Sequence, residues 1–169
     1  MSLAPDISID IAVEAGDWVE TAADYEALCH RVLLTTIETA IELNGPAEVS
    51  VLLSDDAAIQ VLNRDWRAKD KPTNVLSFPA RSDEDPVTSS VTGAPEMLGD
   101  IAVAFETTVR EAVEQDKTFA DHLSHLLVHG MLHLLGFDHE TDAQADEMEP
   151  LEIEILAGLG VDSPYPDRN

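Results

Sequence analysis

The segment His-Gly-Met-Leu-His-Leu-Leu-Gly-Phe-Asp-His, from His129 to His139, carries three imidazoles spaced four and then six residues apart. His129 and His133 stand one helical turn apart, so both rings leave the same face. Gly136 can end that helix, because glycine takes the left-handed backbone at low cost. The chain can then turn back and bring His139 to the other two rings. An uninterrupted helix would carry His139 well off that face. Three neutral imidazoles meeting at one point are a common shell for catalytic zinc, with the fourth position left to water or substrate.

Five of the six histidines lie between His122 and His139. At 100° per residue, His122, His125, His129 and His133 fall within an arc of about 80°. His125 with His129 and His133 is therefore a competing ligand set. That row spans about 12 Å of helix, too long for one ion at bonds near 2 Å. The preferred set is His129, His133 and His139, with His122 and His125 as walls or outer partners of the same cleft. Asp138 and Asp100 are candidates for the same outer or cleft positions, since carboxylates often orient ligand histidines through the second ring nitrogen. The trio also has the spacing of the metzincin zinc-protease motif. The glutamate that acts there as general base is Gly130 here. Peptide hydrolysis needs such a base, so a metalloprotease is the second reading.

A different cluster bears on the electrophile. Arg64, Arg67, Lys69 and Lys71 place four of the nine basic residues within eight positions. Arg67, Lys69 and Lys71 are expected in a polar loop after a helix. Arginine suits bidentate contact with phosphate and the charge of a phosphoryl-transfer transition state. Trp66 suits a core aromatic at a helix end; exposed, it could stack on an unpaired base. Metal, arginine and a basic loop together favour a phosphodiester over a peptide. On this reading Arg67 is catalytic, while Lys69, Lys71 and Trp66 contact RNA.

The elements that must position these groups follow from periodicity. Ile7 to Val13 alternates as a half-buried strand does. Ala22 to Leu43 reads as an amphipathic helix ended by Asn44-Gly45-Pro46. Glu48 to Leu53 is a second strand, and Ser54 is placed to cap a helix over Asp55 to Trp66. Val75 to Phe78 and Leu98 to Ala104 are further strands, separated by a surface loop from Arg81 to Pro95. Helices are expected over Glu106 to Gln115, Phe119 to Leu135 and Asp142 to Leu159, with Pro150 kinking or splitting the last. The order predicts an α+β (mixed α/β) domain over residues 1–160, followed by a tail over 161–169. It is a small sheet of about four strands with helices packed on it, the metal site at the end of a helix in the C-terminal half.

Composition sets outer bounds. A chain of 169 residues with 44% apolar content suits one domain with a real core. The net charge of -25 ordinarily argues against a nucleic-acid partner. The local basic patch matters more, since screening at physiological salt acts over about 8 Å. The single cysteine, Cys29, excludes an internal disulfide and a cysteine-rich zinc knuckle, and suits a small buried residue. No secretory signal and no apolar run long enough for a membrane helix are seen. A cytoplasmic protein with no membrane partner and no nucleotide cofactor is expected.

The segment Leu62-Asn63-Arg64-Asp65-Trp66-Arg67-Ala68-Lys69-Asp70-Lys71-Pro72-Thr73-Asn74-Val75-Leu76-Ser77-Phe78-Pro79 resembles the first signature of the YbeY family of bacterial endoribonucleases that mature ribosomal RNA. Leu98-Gly99-Asp100-Ile101 resembles the second and His129 to His139 the third. The resemblance runs in order over residues 47 to 160. It implies a metal-dependent, single-strand-specific endoribonuclease acting at the 3′ end of small-subunit ribosomal RNA and in ribosome quality control. It implies one divalent ion, usually Zn2+, on His129, His133 and His139, with Arg67 needed for activity, and the small ribosomal subunit as partner. Asn74 departs from the family, which often has aspartate there; an amide-compatible structural hydrogen bond is expected instead. A third reading is a non-catalytic ribosome assembly factor whose metal only holds the fold.

Overall fold

The computed structural model describes residues 7–14, 18, 25–41, 46–80, 96–137 and 141–164. The expected loop from Arg81 to Pro95 and the expected tail beyond residue 164 lie outside the described residues. Alternating strands build the centre: β1 (Ile7–Val13), β2 (Ala47–Ser54), β3 (Val75–Pro79) and β4 (Glu96–Ala104). They form one sheet in the order β1-β2-β4-β3. β1 pairs parallel to β2 and β2 parallel to β4, while β3 runs antiparallel to β4.

The period-two alternation divides the sheet into two faces. Ile9, Val49, Val51, Leu53, Ile101 and Val103 point to one face and join the main core. Three helices bury their apolar faces there: α1 (Tyr25–Ala40) through Val32, Leu33 and Ile37, α4 (Phe119–Leu134) through Leu123, Leu127 and Met131, and α5 (Asp142–Gly158) through Met148, Ile155 and Leu156. α2 (Asp56–Arg67) lies on the opposite face, where Ile59 meets Leu76, Ala102 and Ala104. α3 (Phe105–Glu114) follows β4 directly. The class and the four-strand sheet expected from the sequence are the ones observed.

Local chemistry sets the element ends. Asp55, not Ser54, caps α2: its carboxylate accepts from the Ala58 N–H at 2.9 Å, whereas Ser54 is the last residue of β2 and buried. α2 stops at Ala68, which takes a left-handed backbone and returns its N–H to the Arg64 carbonyl. α4 ends as expected before Gly136, whose φ is 102°. Thr141 and Gln144 form a reciprocal capping box at the start of α5. α5 runs unbroken through Pro150, so the expected split does not occur. Gly99 is required by close approach: a Cβ at its φ of 138° would stand 2.3 Å from the Phe78 carbonyl oxygen.

Candidate metal and phosphodiester site

α4 carries its histidines on one face, and α5 supplies the group that holds them. Glu152 of α5 is 1% exposed and receives two ring N–H groups. His125 Nε2 donates to Oε2 at 3.2 Å and His129 Nδ1 donates to Oε1 at 3.3 Å. Burial alone would raise this carboxyl, but the hydrogen bonds from His125 and His129, with a smaller Coulombic pull from these rings when protonated, outweigh it and bring the pKa down to about 2. The group is therefore an anion that only accepts.

That anion fixes a tautomer. With Nδ1 protonated toward Glu152, His129 turns its Nε2 lone pair outward. His133 is fixed in the same way by backbone: its Nδ1 donates to the Phe137 carbonyl at 3.0 Å, in the turn that Gly136 makes. The two Nε2 atoms lie 3.0 Å apart. With both Nδ1 atoms donating, the short Nε2–Nε2 approach is satisfied either by a proton on one ring, which makes it a hydrogen bond, or by a metal ion between the two lone pairs. Two ligands on a tetrahedral ion with bonds of 2.0–2.1 Å are separated by about 3.3 Å. The pair thus fits one ion, and the engaged Nδ1 atoms supply the outer support that metal-binding histidines usually have.

A second donor group shares His129. His125, His129 and Glu152 offer ligand atoms that all lie within 4.8 Å of one another, so this cluster can also hold a metal ion. Glu152 is buried and already receives both rings, which suits it to orient them. His139 and Asp138 lie outside the described residues.

The basic loop reaches the same place from the other half of the chain. Arg67, Lys69, Lys71, His125, His129 and His133 line one cleft of about 400 Å³ between α4 and the α2–β3 loop. Asn63, 2% exposed, holds that loop through its amide, which donates to the Lys71 carbonyl at 2.9 Å. The Lys69 N–H returns to the Asn63 carbonyl at 3.1 Å. Asn74 closes the loop: its amide donates to Glu111 Oε1 at 2.9 Å, and its own Oδ1 accepts from the Val75 N–H. A carboxylate at position 74 would face Glu111 with like charge, so the amide suits this chain. Glu111 also binds His122 Nε2 at 2.9 Å. Burial pushes the His122 imidazole below its ordinary value, against the opposing hydrogen bond and charge of Glu111.

The expected residues therefore separate into groups. His125 is a partner of Glu152 beside the histidine pair, as a wall residue should be, while His122 ties α4 to α3 through Glu111. Trp66 is 72% exposed, which removes the core reading; it meets Phe78 edge to face at 6.4 Å between centroids. Asp100 is a correction. It points away from α4 because its neighbour Ile101 faces Gly130, so it cannot orient the histidines. Glu152 does that work, and its sequence signal was weak: a lone carboxylate in an acidic helix. Asn63 was missed because an amide within a helix gives no local sign of the backbone carbonyl eight residues on that it holds. Gly130 looks onto Ile101, where a Cβ would stand 3.4 Å from the Ile101 side chain, so no protease-type base occupies that position.

The profile of the family described as Endoribonuclease YbeY matches residues 11–160. The Endoribonuclease YbeY of Paramagnetospirillum magneticum is 51% identical over 169 residues, covering 99% of this chain and 100% of that one. A relative of the same name from Bradyrhizobium sp. is 51% identical, covering 99% and 98%. The solution structure of a Thermotoga maritima protein aligns with a TM-score of 0.52 at 25% identity, covering 91% of each chain. With a profile match over nearly its whole length and relatives identical at about half their positions, the chain belongs to the endoribonuclease YbeY family.

Proposed function

We propose that this protein is a metal-dependent endoribonuclease that cuts single-stranded segments of ribosomal RNA in the cytoplasm. The observation that carries the reading is one cleft shared by a histidine pair and a basic loop some 60 residues away in sequence. His129, His133 and His139 would hold one divalent ion, Zn2+ by donor type. When bound, the ion would polarise a phosphate oxygen and make water more acidic.

The remaining work falls to the chain itself. Glu152 and the Phe137 carbonyl hold the two imidazoles in the tautomers that expose Nε2. Arg67 binds the scissile phosphate and meets the charge that grows there during displacement. Lys69 and Lys71 lead the strand to it, so affinity falls as salt rises. The strongly acidic remainder of the surface repels RNA elsewhere, which favours the small ribosomal subunit, with its own basic proteins, as the setting.

The test combines metal analysis of the purified protein with cleavage of a single-stranded RNA, with and without chelator. Arg67→Ala should keep fold and metal content while cleavage falls by about 10²–10³-fold. Equal cleavage by the variant would refute the role given to Arg67. Chelator-resistant cleavage would refute the metal.

A further inference from the structure

The face of the sheet away from α4 holds a feature that the cleavage reaction leaves unused. α2 covers only part of that face. Beside it lies a trough of about 1020 Å³, floored by Ser50, Leu52, Asp100 and Ala102 and walled by Trp66 and Phe78. A trough of this size suits a small ligand or one unit of a polymer. Arg67, Lys69 and Ser77 line both this trough and the histidine cleft, so the two are continuous across one rim.

The chemistry of the trough is sharply divided. Its cations, Arg67 and Lys69, are on the rim shared with the cleft. Its floor carries the carboxylates Asp10 and Asp100, in one row across the sheet through Ser50. A phosphate is repelled by that floor and attracted by that rim. Phe78 is the register partner of Asp100 on β3, so ring and carboxylate stand side by side on one face. Trp66, 72% exposed, meets Phe78 edge to face and extends the aromatic wall. An exposed indole face beside an anionic acceptor suits a nucleobase with adjacent N–H donors on its edge. Guanine offers two, at N1 and at the 2-amino group. Adenine and cytosine offer one amino group, and uracil flanks its single N–H with carbonyls that a carboxylate repels.

We propose that this trough is a nucleobase subsite: with a phosphate held at Arg67, a neighbouring unpaired guanine stacks on the exposed Trp66 indole, with Phe78 as a side wall, and gives its N1–H and 2-amino protons to Asp100. The inference rests on the RNA-cleaving reading and adds a base preference to it. Asp100 acts as a specificity residue, distinct from the groups that meet the phosphate.

The test uses single-stranded oligonucleotides with one guanosine, moved along the strand and replaced in turn by inosine, which lacks the 2-amino group. Wild type should cleave at a fixed offset from the guanosine, with kcat/KM roughly tenfold higher than for inosine. Asp100→Asn should bring that ratio close to one while thermal unfolding shows an intact fold. Binding is read separately from Trp66 fluorescence, Trp18 being only 4% exposed and Trp66→Phe serving as control. Guanosine-containing trinucleotides should quench Trp66, and oligouridine should not. Cleavage without guanosine dependence overturns the subsite and leaves the nuclease reading standing. Guanosine-dependent quenching without any cleavage supports the subsite and sinks the nuclease reading. Equal guanosine-to-inosine ratios in wild type and Asp100→Asn overturn the role of Asp100.

Discussion

Glu152→Gln separates the two ways in which the histidines could hold a metal. The native carboxylate takes one N–H on each oxygen, from His125 on Oε2 and from His129 on Oε1. A glutamine offers one acceptor and one donor in the same space. If its carbonyl serves His129, the orienting bond survives and His125 must change tautomer. If its amide faces His129, that ring moves its proton to Nε2 and loses the lone pair needed by the ion. Loss of such an outer partner costs about 10–100-fold in metal affinity. The glutamine variant should sit near the lower end and Glu152→Ala near the upper. Without metal, Glu152→Ala should also lower stability by about 3 kcal/mol, because two charge-assisted hydrogen bonds to a buried anion are lost. A competition titration with a chromophoric chelator measures the first quantity and urea unfolding of the metal-free protein the second. In both variants one equivalent of metal should still bind at saturation. Loss of that equivalent in Glu152→Ala and His125→Ala, with retention in His133→Ala, would show that Glu152 is itself a ligand and refute the assignment to Nε2 of His129 and His133.

Three further outcomes test the supports of the site. Asn63→Ala removes the buried amide that holds the Lys71 carbonyl, and should cost about 1–3 kcal/mol in urea unfolding while raising KM for RNA as the basic loop loosens. Unchanged stability and KM would show that the loop is held elsewhere. Gly99→Ala forces a Cβ against the Phe78 carbonyl at a backbone angle that alanine avoids, and should lower Tm steeply or block folding. A variant within 2 °C of wild type, roughly the effect of a small ΔΔG, would contradict the close approach of β3 and β4. Burial, with a smaller push from Glu26, raises the Cys29 thiol to about 12 from an ordinary 9.0. Its fold therefore favours the neutral thiol: that stability is complete below pH 9 and drains away as pH rises toward 12. Iodoacetamide at pH 8.5 should leave the native thiol unmodified and label it after unfolding; rapid native labelling would contradict this.

The histidine row on α4, its end at Gly136 and the alternation of β1, β2 and β4 were readable in the chain, because each depends on neighbours within a few positions. Backbone period decides which face a side chain takes, and a glycine decides where a helix can stop. Ser54 and Asp55 show the resolution of such reading: both are good caps, and the strand claims the first. The basic cluster from Arg64 to Lys71 was equally visible as a cluster, and the family signatures gave it a context.

Its meeting with the histidines is a different kind of fact. Arg67 reaches the cleft because β3 pairs antiparallel to β4 and carries the loop over α4, and no local pattern contains that pairing. Glu152 orients His129 from 23 residues away because α5 packs its apolar side on the core and has one acidic position facing inward. Asp100 and Ile101 are adjacent in sequence and opposite in space, and only the packing of Gly130 on Ile101 tells which of them sees the histidines. Residue types and their period thus determined the chemistry that this chain can hold. Long-range packing decided which groups act together, since the free energy of burying distant surfaces against each other belongs to no single segment.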